Sequence, residues 1–361
     1  MATVERASQR TLIWRRFRKH RLAMVGLWLL GLMYAAAALA GFLAPFGKDS
    51  HSSDHAYQPP QIPSFSFEHG FYVHPTAGRT DPETLEQVFT EDTSRVVELG
   101  FFVKGDPYTL LGFIPGDVHL FGPEDPGERF YLLGADRTGA DLLSKIFFGS
   151  QISLSIGLVG VGMSLVLGLL LGGVSGYFGG WVDLVIQRVI EFIMSIPTLP
   201  LWLGLAAAIP PQWGPLQTYF IITVILSLLG WTSLARVIRG RFLQVRGEDH
   251  VLAAQLDGVP KSRIIFRHML PSFASHVIAT VSLSVPTMIL AETSLSFLGL
   301  GLRAPAISWG VLLQDAQSVR TVVTAPWLMM PAVAVVLAVV AFNFVGDGLR
   351  DSADPYGKRS S

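Results

Sequence analysis

Residues 151–175 read QISLSIGLVGVGMSLVLGLLLGGVS, a run of 25 residues without a single charge. A helix needs ~20 consecutive, mostly apolar residues to cross the hydrocarbon of a bilayer, and a buried helix of a soluble domain rarely runs so long. Five further stretches match it, at 22–44, 189–209, 216–235, 277–302 and 326–346. Three of those five are free of charge, and the others hold one carboxylate each, Glu191 and Glu292. The whole chain agrees with the membrane reading: half of its 361 residues are apolar, only 15% are charged and the mean hydropathy is +0.45, whereas soluble domains carry roughly 25% charged residues.

The 27 basic and 27 acidic residues cancel, which argues against nucleic acid as a partner, since that needs a basic excess. With no cysteine there is no disulfide, thiolate metal site or thiol nucleophile. The charges are also segregated. Arg6, Arg10, Arg15, Arg16, Arg18, Lys19 and Arg21 precede the first apolar run, which is longer than the ~7 to 15 residues of a signal-peptide core and is expected to stay as a first span, despite the small residues Ala38-Leu39-Ala40. If the loops alternate from an inner N-terminus, the inner segments hold 18 Lys and Arg against 8 Asp and Glu, and the outer ones 9 against 17. Basic residues favour the cytoplasmic side. The expected fold is an all-α polytopic membrane protein with six transmembrane helices and cytoplasmic N- and C-termini.

Its organisation is expected to run as a cytoplasmic segment 1–21, a first span 22–44, an extracytoplasmic insert 45–150, a five-helix core 151–349 containing a cytoplasmic loop 236–276, and a tail 350–361. Within the insert, 65–67, 96–103 and 108–114 are short runs rich in Val and Phe bounded by Gly and Pro, the pattern of strands. A small strand-rich unit is expected there. From Asp141 to Gly149, Leu142, Leu143, Ile146 and Phe147 have helical spacing, expected as an amphipathic segment along the outer membrane surface that leads into the second span.

The inner loop is the most specific part of the chain. Its segment 248–271 reads EDHVLAAQLDGVPKSRIIFRHMLP. Two short helices are expected: acids at the start of the first suit the helix dipole, Gly258 sits where a C-terminal capping glycine belongs, Pro260 opens the second and Pro271 stops it. The second carries Ile264, Ile265, Phe266, Met269 and Leu270 beside Arg263 and Arg267. Composition alone serves two roles equally, a docking surface for a cytoplasmic partner or a helix lying on lipid headgroups.

The order of residues separates them. Ala253-Ala254, then Gly258, then His268-Met269-Leu270-Pro271 resembles the EAA signature of ABC importer permeases, with Leu252 standing where the glutamate of the motif's name would be. Other segments are similar to the dipeptide, oligopeptide and nickel branch of that superfamily, of the C-subunit type. They are the opening at 16–26, the pre-span stretch at 133–144 (where Ala135 and Ala140 replace the usual Thr and Arg), Ser195-Ile196-Pro197-Thr198-Leu199-Pro200, 295–301 and 346–351. The likeness covers 12–45 and 130–356, and 46–129 poorly.

The resemblance implies a non-enzymatic permease subunit in a bacterial inner membrane. It would form half of a translocation path for peptides, or alternatively oligosaccharides or another small solute. Its partners would be a second, related permease, two cytoplasmic ATP-binding subunits and an extracytoplasmic solute-binding protein. The insert lies outside what the resemblance implies, and its expected role is to help receive the last of these. Ala253, Ala254, Gly258, His268, Leu270 and Pro271 would form the coupling loop: the glycine for the turn, the alanines for close packing, the histidine as an anchor. No phosphate-binding GxxxxGK[ST] loop occurs in the chain, consistent with ATP hydrolysis in another subunit. No cofactor, metal or catalytic residue is expected.

An ionisable group within a span is by default a functional candidate, so Glu191 and Glu292 are either path residues facing a solute or partner, or groups hydrated or paired near the interfaces. Pro197, Pro200 and Pro286 either permit bending or are tolerated kinks. Two rival classes have less behind them. An ion-coupled carrier is expected to display paired repeats, which the sequence does not reveal. A membrane hydrolase needs a nucleophile with a base or metal inside the spans, yet none of the nine histidines falls within one; His51 and His55, four apart, lie in an ordinary Ser- and Pro-rich stretch.

Overall fold

The computed structural model describes residues 9–80 and 87–353. The chain opens with α1 (Gln9–Phe17), α2 (Arg21–Ala38) and the single turn α3 (Ala40–Leu43). Six strands follow: β1 (Ser64–Ser66), β2 (Gly70–Val73), β3 (Thr76–Thr80), β4 (Gln87–Glu91), β5 (Val97–Leu110) and β6 (Ile114–Pro123). After them come α4 (Leu142–Phe178), α5 (Gly180–Ser195), α6 (Thr198–Ala207), α7 (Pro215–Arg246), α8 (Asp249–Leu256), α9 (Lys261–Arg263), α10 (Leu270–Phe297), α11 (Trp309–Gln314), α12 (Val319–Thr324) and α13 (Met330–Ala353).

Among the described residues, α2, α4, α7, the continuous helix 261–297 and the helix ending in α13 are each long and apolar enough to cross a membrane. The third expected span is different. Residues 180–207 form two helices, α5 and α6, bent by 84° at the break. Pro197 is the cause, because it has no amide to continue the ladder and disfavours a helical residue before it; Ile196 is extended, with ψ 128°. Of the six transmembrane helices expected, five are thus single long helices among the described residues, and the bent pair makes a sixth where it is counted as one span.

Two other expectations need correction. The stretch 141–149 is no separate surface helix; apart from Asp141 it belongs to the 37-residue α4, and Leu142 is fully buried. Nor does Pro271 end a helix. Residues 264–269 take the wider π geometry, with the Leu270 N–H bonded to the Ile265 carbonyl. That wider turn absorbs the ring and the missing donor of the proline, and the helix continues to Phe297.

The chain divides into two compact units. The first comprises 1–30, 156–292 and 337–361; the second comprises 31–155 and 293–336. In the first, α4 and α7 approach closely through Gly168, Gly172 and Gly176. A Cβ on Gly172 would lie 2.4 Å from the Ala235 carbonyl, and one on Gly176 2.6 Å from the Phe242 Cβ. Small residues at this four-residue spacing are what lets helix backbones meet where lipid supplies no hydrophobic drive. Asp183 on α5 is clamped to α7 by a two-pronged Arg239 guanidinium, both contacts at 2.6 Å.

In the second unit, β1, β2, β5 and β6 form an antiparallel sheet in the order β1-β2-β5-β6, and β3 pairs with β4. Phe46, Val73, Val97, Leu99 and Phe130 make the core beneath it. The strand-rich insert is therefore present, with one difference: the apolar run 108–114 is the end of β5, a turn and the start of β6.

Candidate functional site

Helix α8 ends in a Schellman turn. Gly258 is left-handed at φ +71°, its N–H bonds to Gln255, and the N–H of Val259 reaches back to Ala254, both at 3.1 Å. This is the glycine-capped arrangement expected from the sequence, and it hands the chain to Pro260 at the start of α9. Val251 and Ala254 of α8 then join Ile264 and Met269, Phe273 and Val277 of α10, and Ile238, Phe242 and Val245 of α7 in one buried cluster, with Val259, Ile265 and Leu270 packed against it. Much of the apolar face read in 264–270 is thus internal.

What this root leaves outside is still apolar. Leu256 is 89% exposed and Phe266 62%, with Leu252 and Ala253 exposed beside Gln255. Of the six predicted residues, Ala254 is buried, Leu270 and His268 are half-buried, and Ala253, Gly258 and Pro271 are exposed. A Cβ on Gly258 would meet nothing within 4 Å. Phe266 was read on the apolar face of the second helix and Leu252 as the residue in place of the motif's glutamate, whereas Leu256 was not singled out; its signal was apolar character on a loop otherwise bracketed by charge.

The first unit also contains a cavity of about 420 Å³, which sequence reasoning missed because its lining comes from five separate helices, α4, α6, α7, α10 and α13. Hydroxyls dominate its polar lining. Those of Ser164, Ser233, Thr280 and Ser284 each donate to a backbone carbonyl, leaving their oxygens free to accept. Trp202 brings a buried indole N–H with no hydrogen-bond partner among the described residues. His276, in contact with Arg241 at 3.2 Å, and Arg350 line it too, and among the described residues no carboxylate does. Glu191 and Glu292 are not in this lining: Glu191 is exposed and paired with Arg188 at 2.7 Å, whereas Glu292 is fully buried.

In the second unit, the loop before α4 is a dense polar knot. Asp136 accepts from the Thr138 N–H, the Thr138 hydroxyl and the Ala140 N–H. Asp141 caps α4 by accepting from the Ser144 N–H at 2.8 Å and its hydroxyl at 2.7 Å. Burial pushes the Asp141 carboxyl up to about 6 against the pull of those hydrogen bonds. Asp315 is likewise raised to about 6 by burial, with Arg137 at 3.1 Å opposing. Asp315, Arg137, Asp49, His51, Lys145 and Arg303 border a cavity of about 700 Å³.

Residues 164–356, which contain the glycine-capped helix, its buried root and the bent pair, match the family of binding-protein-dependent transport system inner membrane components. The chain belongs to that family. Residues 8–60 match a second family, the N-terminal transmembrane domain of oligopeptide transport permease C. Among relatives, this permease is 38% identical over 240 residues to the oligopeptide transport system permease protein OppC of Haemophilus influenzae, covering 66% of this chain and 75% of that one. It is 30% identical over 348 residues to the dipeptide transport system permease protein DppC of Bacillus subtilis, covering 96% and 85%. A solved inward-facing MetNI methionine ABC transporter is similar at 16% identity and TM-score 0.44, over 56% of this chain and 94% of that one. As a permease of this family the chain is a multi-pass membrane subunit that works with another permease, ATP-binding subunits and a binding protein, and ATP is hydrolysed in a separate subunit.

Proposed function

We propose that this permease forms half of the path through which peptides cross a bacterial inner membrane, driven by ATP. The names of its oligopeptide and dipeptide relatives support peptides as the solute. The observation that carries the mechanism is the inner loop: an apolar cap of Leu252, Leu256 and Phe266 stands on a root shared by α7, α8 and α10. An ATPase gripping that cap moves the inner ends of α7 and α10 together. Ala253, Ala254, Gly258, His268, Leu270 and Pro271 are the coupling residues: Ala254 and Leu270 tie the cap to its root, Gly258 sets the turn, and Ala253, His268 and Pro271 meet the ATPase.

The charge bias of the loops supports cytoplasmic N- and C-termini with α5 and α6 counted as one crossing. The assembly is one copy of this chain, one different permease, two ATP-binding subunits and a binding protein received in part by the insert. In the cavity, hydroxyl oxygens accept from peptide N–H groups, and the Trp202 indole N–H with the cationic Arg350 suits carbonyl and carboxylate oxygens. Glu191 and Glu292 serve the path indirectly, one through its pair with Arg188 and one from inside the helix packing.

The test is uptake of labelled oligopeptides and labelled oligosaccharides in cells deleted for this chain and then complemented, with and without ATP depletion. ATP-dependent loss and rescue of peptide uptake alone is the expected result. Loss of oligosaccharide uptake alone would reassign the solute, and unchanged uptake of both would refute the peptide reading.

A further inference from the structure

The hairpin joining β5 to β6 ends in Tyr108-Thr109-Leu110-Leu111-Gly112-Phe113-Ile114-Pro115-Gly116, nine residues without a charge, flanked by Asp106 and Asp117. At its tip Leu111 is 64% and Phe113 72% exposed. The turn itself is unusual. Leu110 pairs with Ile114, the Phe113 N–H reaches the Leu110 carbonyl at 3.2 Å, and the two central residues, Leu111 and Gly112, are both left-handed, at φ 53° and 82°. A type I′ turn requires this conformation, and in water it selects Asn or Asp at the first of the two positions. Here a leucine is held in a strained conformation with its side chain projecting outward.

The direction of the hairpin follows from contacts within the second unit. The Gly47 N–H bonds to Asp106 at 2.9 Å. Nearer to α2, the Ala44 carbonyl lies against His119 Nδ1. Nearer still, Gly41 faces the Tyr108 ring so closely that a Cβ there would come within 2.6 Å of it. The two ends of this stretch set the direction: Gly47 meets Asp106 and Gly41, nearer to α2, meets Tyr108, nearer to the tip, while the Phe42 ring between them reaches back to Phe102 at 6.2 Å. Three more residues at ~3.3 Å each carry Leu111 ~10 Å beyond Tyr108, abreast of the last turns of α2. Those turns belong to a helix apolar enough to span.

We propose that this tip is a membrane anchor: Leu111, Phe113 and Ile114 insert into the lipid leaflet that surrounds the Ala38 end of α2, and Asp106 and Asp117 stop it at the headgroups. The occupant is lipid because the surface lies beside a membrane span, carries no charge over nine residues and is bounded by acids where water begins. The inference rests on α2 being a span and on neither the solute nor the orientation of the chain.

The absence of cysteine makes the test direct. Leu32→Cys, Phe113→Cys and Asp117→Cys variants of the full-length permease carry an environment-sensitive fluorophore in liposomes containing doxyl-labelled lipid, with iodide as the aqueous quencher. The lipid quencher is expected to quench positions 32 and 113 at least threefold more than 117, with iodide showing the reverse order. Iodide access at 113 equal to that at 117, with 32 still lipid-quenched, would overturn the anchor and leave the span intact. Shielding of 113 from both quenchers would overturn it in favour of a protein contact. Iodide access at 32 would overturn the span and the anchor together.

Discussion

Two loops of this chain are built on opposite plans. The loop before α4 is held by buried polar contacts: Asp136 gathers three donors, Asp141 two, the Trp327 indole N–H reaches the Ala135 carbonyl and the Gly139 carbonyl accepts from Ser52 and Tyr131. The loop around α8 has an apolar root and an exposed apolar top, and a Cβ on its capping Gly258 would meet nothing within 4 Å. A loop satisfied by its own hydrogen bonds has one conformation and little to offer a partner. A loop that buries part of its apolar surface and exposes the rest has the surface for the docking role proposed above.

The contrast breaks most readily at its two glycines. Both are left-handed, at φ +73° for Gly139 and +71° for Gly258, but a Cβ on Gly139 would stand 1.8 Å from the Ser52 carbonyl oxygen. Gly139→Ala is expected to destabilise the permease by about 4 kcal/mol or more, read as loss of folded protein after detergent extraction.

Next in size is the pH response of the polar loop. Asp141 and Asp315 have folded values near 6, above the ordinary 3.8, so the folded state holds protons that the unfolded state has released. Their contribution is fully present below about 3.8 and is lost as pH rises through about 6. Protection of the pre-α4 loop from protease should fall between about pH 4 and 6, by an amount equivalent to about 1–3 kcal/mol, and Asp141→Asn should flatten the curve.

Gly258→Ala is the matched control. With open space around it, only the left-handed backbone is penalised, about 1 kcal/mol, and the melting temperature should drop slightly while peptide uptake falls through the altered turn. If it proved as damaging to folding as Gly139→Ala, the contrast between the loops would be wrong. Smallest of all on folding is Leu256→Ser, expected within about 0.5 kcal/mol of wild type. Co-purification of the ATP-binding subunits should nevertheless drop at least tenfold.

How much of this was legible depended on whether the deciding interaction was local. Hydropathy located the long helices, and the Gly258 cap was readable because the glycine, the preceding α8 and Pro260 lie within a dozen residues. Strands were visible in 65–67 and 96–103, but 108–114 was read as one strand because a turn without Asn, Asp or an inner Pro gives no signal beyond one glycine. Pro271 misled for a comparable reason: proline reports a missing donor, and only the geometry of the preceding turn decides whether the helix survives. The break at Pro197 was visible as a proline but not as an 84° bend. Long-range partners left no trace in sequence. Nothing near Asp183 names Arg239, and the spacing of Gly168, Gly172 and Gly176 does not say which helix they receive.

The π turn at 264–269 has one more consequence, concerning phase. One extra residue in a helix advances everything after it by about 100°, since 3.6 residues make a turn. The wide turn therefore sets the angular offset between Phe266, which faces outward within it, and Thr280, Ser284 and Thr287, which follow it and line the cavity. Closing the wide turn into ordinary α geometry would rotate that wall of hydroxyls away by more than a quarter of a revolution while leaving the helix intact, a rotary setting stored in the six residues that lead into α10.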